Sequence, residues 1–458
     1  MEVFLIKTLQ LLLCFCLLII LHEGGHFFFA KLFKVRVPTF CLFFGPWKKW
    51  RLFSWKGTDY CIGWLPLGGY VEIAGMIDES LNTEQMKAPA KPDEFRSKPA
   101  WQRLLIMAGG VLVNFLTALI IYAMILFCNG DTYTPAQNMA HGYKFNAAAQ
   151  YYYGFRDGDI LMTIDGEAID RFSIKTCRQI STAKSVGVLR DGKRVDIALP
   201  GDLNMLDMLQ ARPPFVDVLA PSVIDSVAAG LPAERAGIHA GDRIVGLNGM
   251  AMTTWNEFNQ PMEDRTATIQ AYVKDGNTAM ADSFRHVSVV VERALTAQRD
   301  TIPLMLTKEG TMGIFKRNPY ADYRDTTIHY SFFGSFPAGA AYGWGVLKDY
   351  VSDLHYVFSA EGLKSVGSFG TIGSLFPAQW DWLKFWNLTA FISIMLAFLN
   401  VLPIPALDGG HIFFLLCEVV TRRKPSDKFM YRAQIVGMCL LFALMALAVF
   451  NDLARFVF

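Results

Sequence analysis

Apolar residues in this chain gather into a few long runs. The first extends from Val3 to about Phe33, a second covers about Trp101–Cys128, a third about Leu383–Val401 and a fourth about Ala433–Phe450. At 1.5 Å of rise per helical residue, runs of this length reach across a bilayer. The first starts with only Glu2 and Lys7 as charges and is followed by no small-residue cleavage site, so it reads as a retained helix rather than a secretory signal. Residues 34–100 alternate apolar and aromatic positions with Lys, Arg and Gly, as in Lys48-Lys49-Trp50-Arg51-Leu52-Phe53. That pattern predicts short strands and turns at a membrane interface, or dipping into it beside other protein. Asp78–Lys98 is polar and reads as a loop. From about residue 130 to 330 the pattern is that of water-soluble protein.

An internal repeat lies in that middle region. Gly154, Gly158-Asp159 and Asp165-Gly166 recur as Gly237, Gly241-Asp242 and Asn248-Gly249, in the frame G-x-x-x-G-D-x-x-x-x-x-[DN]-G. It predicts a turn, a short alternating strand and a tight hairpin turn. The frame resembles the core of PDZ domains. Ala233-Glu234-Arg235-Ala236-Gly237 looks like the helix leading into the second copy.

The 458 residues are 52% hydrophobic and 18% charged, with a mean hydropathy of +0.27. The charged share lies below the usual quarter, as membrane segments require. A net charge of +2 without a long basic run gives a nucleic-acid partner no support. The eight cysteines include no CxxC pair and read as small buried hydrophobes, not as a disulfide framework or a cysteine metal site. Basic residues cluster between the first and second runs (Lys31, Lys34, Arg36, Lys48, Lys49, Arg51, Arg103) and between the third and fourth (Arg422, Arg423, Lys424, Lys428, Arg432). Both loops are therefore expected on the cytoplasmic side, with the middle region and both termini opposite.

The candidate chemistry begins within the first run, at His22-Glu23-Gly24-Gly25-His26. Histidines four apart share a helix face and can reach one metal, while Glu23 is about 100° around the helix. Polar residues gluing a helix bundle together are the alternative. A catalytic zinc takes three protein ligands and one open position. A carboxylate occurs at the end of the third run, in Asn400-Val401-Leu402-Pro403-Ile404-Pro405-Ala406-Leu407-Asp408-Gly409-Gly410-His411. The two prolines forbid a simple helix there, and unwound backbone at membrane depth lines a cavity or protein. His411 would close the site as a fourth ligand and is left out.

Together, HExxH and N-x-x-P-x-P-x-L-D-G resemble the site-2 protease family of intramembrane zinc metalloproteases. Pro66-Leu67-Gly68-Gly69-Tyr70-Val71 resembles that family's re-entrant β-hairpin. Ala108-Gly109-Gly110-Val111-Leu112-Val113-Asn114 resembles its second-helix motif, with Gly110 where proline is common, and Asp452-Leu453-Ala454-Arg455-Phe456 resembles its terminal motif. The resemblance implies one Zn2+ held by His22, His26 and Asp408, with Glu23 as general base. Asn400, Asn114, Gly69, Pro403 and Pro405 are the candidate substrate contacts. Asn400 reads equally as a turn residue, and Asn114 as a link between helices. The expected architecture is an α-helical membrane protein with four spans. Its first membrane part is 1–130, followed by two periplasmic PDZ domains (131–210 and 211–300), a connector at 301–382 with an interfacial helix near Gly339–Phe358, and a second membrane part at 383–458. The implied substrates are single-pass proteins of the bacterial inner membrane, an already trimmed anti-sigma factor first and remnant signal peptides second. The active site is expected within the bilayer towards the cytoplasm, with no organic cofactor. A PDZ scaffold without catalysis and a transporter are the rival readings.

Overall fold

The computed structural model describes residues 2–65, 68–76, 89–321, 323–357, 366–423 and 426–456. Contacts divide the chain into two units, one made of Met1–Gly130 with His329–Phe458, the other of Asp131–Ile328.

In the first unit, α1 (Glu2–Leu32) and α2 (Ala100–Asn129) coincide with the first two apolar runs. They cross where glycines meet. A Cβ on Gly25 would lie 2.3 Å from the Gly109 carbonyl oxygen, and one on Gly109 would lie 2.6 Å from that of Gly25. Small residues let helix backbones approach, so the middle of α2 lies directly against the turn that carries the histidines. Between the helices, β1 (Thr39–Leu42), β2 (Phe44–Trp55), β3 (Thr58–Leu65) and β4 (Tyr70–Glu72) form one sheet in the order β2-β3-β1-β4. The strands expected over 34–100 are therefore present, with β4 as an edge. Pro66, Leu67 and residues 78–88 of the expected loop lie outside the described residues.

The sheet corrects the reading of the cysteines. β1 and β3 run parallel with Cys41 opposite Cys61, and their sulfurs are bonded. Twenty residues and an intervening strand separate the pair along the chain, so spacing alone does not announce it.

The second unit opens with β5 (Asp131–Tyr133) and then builds one pattern twice. The first copy contains β6 (Tyr143–Phe145), α3 (Ala147–Tyr153), β7 (Ile160–Ile164), β8 (Glu167–Ala168), α4 (Ile174–Thr182), β9 (Ser185–Arg190), β10 (Lys193–Ala198), α5 (Met205–Gln210) and β11 (Val216–Val218). The second contains β12 (Ile224–Val227), α6 (Pro232–Arg235), β13 (Arg243–Leu247), β14 (Met250–Ala251), α7 (Trp255–Lys274), α8 (Thr278–Arg285), β15 (His286–Glu292), β16 (Arg299–Met305) and β17 (Ile314–Lys316). β18 (Thr326–Ile328) returns to pair with β5. The main sheets are ordered β10-β9-β7-β8 and β14-β13-β15-β16.

The repeated residues account for the likeness. Asp165-Gly166 and Asn248-Gly249 both have two successive positive φ angles (47 and 86°, 49 and 83°), which is the type I′ hairpin turn the sequence predicts. The Asp of each Gly-Asp pair is buried and ion-paired within its own copy. Asp159 accepts from the Arg156 N–H and from Arg190 at 2.7 Å, and Arg190 also donates to the Gly154 carbonyl. Asp242 accepts from the N–H groups of His239 and Ala294 and from Arg293 at 2.9 Å, and Arg293 also donates to the Gly237 carbonyl. Burial alone would raise the Asp242 carboxyl; these bonds outweigh it and hold the group below its ordinary range. Each copy closes over its own core, around Phe145, Phe155, Leu161 and Val188 in the first and Ile238, Ile244, Val289 and Leu306 in the second.

The chain then returns to the first unit as α9 (Phe332–Val357), α10 (Phe369–Leu375), α11 (Trp382–Val401), α12 (Asp408–Thr421) and α13 (Asp427–Phe456). Among the described residues, α1, α2, α11 and α13 are long and apolar enough to cross a membrane. They carry Phe4, Leu116, Leu383, Val436 and Phe450 exposed, as lipid-facing surface would. Two details differ from expectation. The helix expected near residues 339–358 begins earlier, at Phe332, and packs on α2 through Tyr342 against Tyr122 and Gly339 against Ala123. The sequence pattern does not announce α12, because fourteen residues cannot span a bilayer and the run it belongs to is broken by the prolines. The terminal motif is a structural tie. Asp452 accepts from the N–H groups of Ser368, Gly370 and Thr371, which anchors α13 to the start of α10.

Candidate metal centre

His22 and His26 lie one turn apart on α1, at its crossing with α2, and both turn their Nε2 atoms inward. Asp408 reaches the same point from the first turn of α12. Its Oδ2 is 3.1 Å from His22 Nε2 and 3.3 Å from His26 Nε2, and the two Nε2 atoms are 3.3 Å apart. A tetrahedral ion with bonds of about 2.0–2.1 Å has ligand–ligand edges of about 3.3 Å, so this triangle matches one face of such a site. Two further observations fit a cation here. Asp408 Oδ2 is buried without a hydrogen-bond donor. Among the described residues, its ion-pair partners are the two histidines alone.

The backbone around Asp408 explains how a carboxylate reaches this depth. α11 stops at Val401, and the chain turns through residues 402–407 with Ile404 N–H donating to Leu402 and Leu407 N–H to Ile404. Ala406 sits at a φ of 81°, a left-handed conformation costing about 1–3 kcal/mol outside glycine, of the kind that collects at functional sites. α12 then begins with Asp408 in its first turn, where the helix dipole favours a negative charge.

A cavity of about 620 Å3 opens beside the triangle. Its wall includes His22, Glu23, His26, Asn400, Asp408 and Gly69, six residues the sequence singled out. Glu23 is neighboured by β4. A Cβ on Gly69 would meet Ile19 Cγ2 at 2.7 Å, the Cys41 carbonyl oxygen at 2.9 Å and Glu23 Cγ at 3.4 Å, so no larger residue fits there. Asn400 Nδ2 is 3.5 Å from His22 Nε2. Tyr70, Val71 and Glu72 of the edge strand line the same space.

Three other candidates stand elsewhere. Pro403 and Pro405 are not in the cavity wall; they shape the turn, and Pro405 is packed so closely by α13 that a Cβ on Gly437 would overlap its carbonyl. Asn114 is also outside the wall. It is buried in α2 with its side-chain amide 3.2 Å from His22 Nδ1, while its backbone carbonyl accepts from Ser393 Oγ of α11.

Two contributors have no site role in the sequence: Gly110, legible only as part of the second-helix motif, and Gln434. Gly110 lies under both imidazoles, where a Cβ would stand 2.4 Å from His26 Nε2 and 2.6 Å from His22 Cε1. Gln434, buried in α13, lines the cavity. The expense of an amide inside an apolar run is the signal that could have found it.

Comparison with known proteins identifies the family to which the chain belongs. The model of peptidase family M50 matches residues 10–444. The regulator of sigma-E protease of Salmonella typhimurium is 28% identical over 453 residues, covering 96% of each chain, and that of Escherichia coli is 28% identical over 456 residues with the same coverage. A relative in Vibrio cholerae whose name describes a zinc metalloprotease is 27% identical over 463 residues, again covering 96% of each.

Proposed function

We propose, from the premise that this chain belongs to peptidase family M50, that it is a zinc endopeptidase which cuts single-pass membrane proteins inside the bilayer. The observation that carries this reading is the convergence of His22, His26 and Asp408 beside Glu23 in one cavity of the apolar unit. Their donor set, two imidazoles and a carboxylate, is one of the catalytic zinc sets. When bound, zinc supplies polarisation of the peptide carbonyl and a water acidic enough to ionise near neutral pH.

The protein's own groups supply the rest. Glu23 takes a proton from the attacking water and returns it to the leaving amine. Asn400, close to His22 on the cavity wall, is placed to donate to a substrate carbonyl. A helical substrate hides its carbonyls in hydrogen bonds and must unwind before attack. β4, the last strand of its sheet among the described residues, offers an unwound segment a strand edge along the cavity. Proline substitutions across Tyr70–Glu72 that left cleavage of an intact substrate unchanged would exclude this pairing.

We read the two repeated copies of the second unit as PDZ domains facing the periplasm, supported by the shared Gly-Asp frame and sheet order. The cavity then lies towards the cytoplasmic side of an inner membrane. Since relatives are named for regulation of sigma-E, a trimmed anti-sigma factor is the first substrate to try and remnant signal peptides the second.

The test is zinc content and cleavage of such substrates by the intact protein and by Glu23→Gln. Zinc in both proteins with cleavage only in the wild type is expected. Cleavage surviving in the variant removes Glu23 from the chemistry, and a wild type that holds zinc and cuts nothing favours a scaffold.

A further inference from the structure

α2 presents three positions, each four residues apart, to the two histidines: Ile106, Gly110 and Asn114. Helical spacing puts them on one face over two turns. Each meets the imidazole pair differently. The Ile106 carbonyl lies 2.8 Å from His26 Nδ1, Gly110 leaves room for both rings, and the Asn114 amide lies 3.2 Å from His22 Nδ1.

The first contact fixes a tautomer. A carbonyl only accepts, so His26 Nδ1 carries the proton and donates it to Ile106, leaving Nε2 with a lone pair directed at the triangle. His22 needs the same arrangement, since its Nε2 faces the same point. Asn114 decides it. With Nδ2 towards His22, the amide donates to Nδ1, the ring proton is forced onto Nε2, and that atom cannot bind a metal. In this orientation Asn114 Oδ1 is buried without a partner, and turning the amide puts Nδ2 in that place instead, so the choice is decided at His22. A half-turn of the amide removes the conflict at His22. Oδ1 then accepts from Nδ1–H, and Nε2 is free.

We propose that Asn114 is a positioning residue that accepts the Nδ1–H of His22 through its side-chain carbonyl and holds that imidazole in its Nε2-ligating tautomer. α2 thereby sets both histidines, one through a main-chain carbonyl and one through a side chain, and Asn114 does not contact substrate. The inference rests on the proposed zinc ligation by His22.

The test uses full-length protein in detergent, with zinc affinity read by chelator competition and the cobalt-substituted protein read by its visible spectrum. Asn114→Leu removes the acceptor at similar size; Asn114→Asp keeps an acceptor and cannot donate. Loss of an outer partner of this kind weakens metal binding about 10–100-fold. That loss is expected for Asn114→Leu, with a changed cobalt spectrum, while Asn114→Asp matches the wild type or binds tighter. Should Asn114→Leu fail to fold, the comparison of Asn114→Asp with wild type decides alone, because an amide that donated to Nδ1 would make the aspartate damaging. Wild-type affinity in Asn114→Leu, or a weakened Asn114→Asp, overturns the inference alone. A wild type that binds no zinc overturns the zinc reading together with it.

Discussion

Asp159 and Asp242 in the second unit each meet an arginine of their own repeat, whereas Asp408 in the apolar unit meets two histidines and, among the described residues, no arginine or lysine. Asp159 and Asp242 are buried, and Asp408 buries its Oδ2 atom, which is expensive for an uncompensated charge. The repeats solve the problem internally with ion pairs and backbone N–H groups, so those aspartates are complete as they stand. The apolar unit leaves its carboxylate facing two imidazoles that are neutral when they ligate. The difference separates a charge settled within its own repeat from one that the proposed function assigns to a cation.

Removing the carboxylates in turn tests that difference. Asp408→Ala is expected to release zinc and to lower cleavage by about 10^3-fold or more, since metal polarisation contributes several kcal/mol to the transition state. Metal analysis and a cleavage assay check this, and an active, zinc-loaded variant would place the third ligand elsewhere. Gly110→Ala comes next. Its methyl group must displace both imidazoles, so zinc affinity should fall while the second unit is untouched; unchanged affinity would mean that α2 yields easily.

Asp159→Ala reverses the pattern. Leaving Arg190 without its partner is expected to destabilise the second unit by about 3 kcal/mol, at the low end for broken buried pairs because the guanidinium still reaches solvent. Zinc content should not change, and thermal unfolding with metal analysis separates the two effects. The smallest effect concerns pH. The Asp242 carboxyl is held below its ordinary range in the folded protein, so its contribution is present above the unfolded value of about 3.9 and is lost as pH falls through the folded one. Hydrogen exchange at β15 amides should loosen over that acid window in the wild type, and Asp242→Asn should abolish the dependence.

Much of the apolar unit was legible in the sequence. The ends of α1, α2 and α11 fall within one or two residues of the apolar runs, because a membrane-length helix is announced by composition alone. Tight turns at Asp165-Gly166 and Asn248-Gly249 were legible for the same local reason: few residues tolerate two successive positive φ angles. α12 was not legible, since the prolines that end α11 mask the short helix beyond them. Nor was the Cys41–Cys61 bond, which depends on the parallel register of two strands separated by a third.

The candidate side chains for the chemistry can be read along the chain, because histidines at helical spacing and an aspartate within an apolar run are too costly to stand there without a partner. How they are held emerges only from the folded arrangement. The Gly25–Gly109 crossing brings α2 against the histidines, the left-handed turn at Ala406 points α12 at them, and Gly110 leaves the space they fill. The two glycine contacts are close approaches between segments far apart along the chain, and glycine at such a contact looks in sequence like glycine anywhere else.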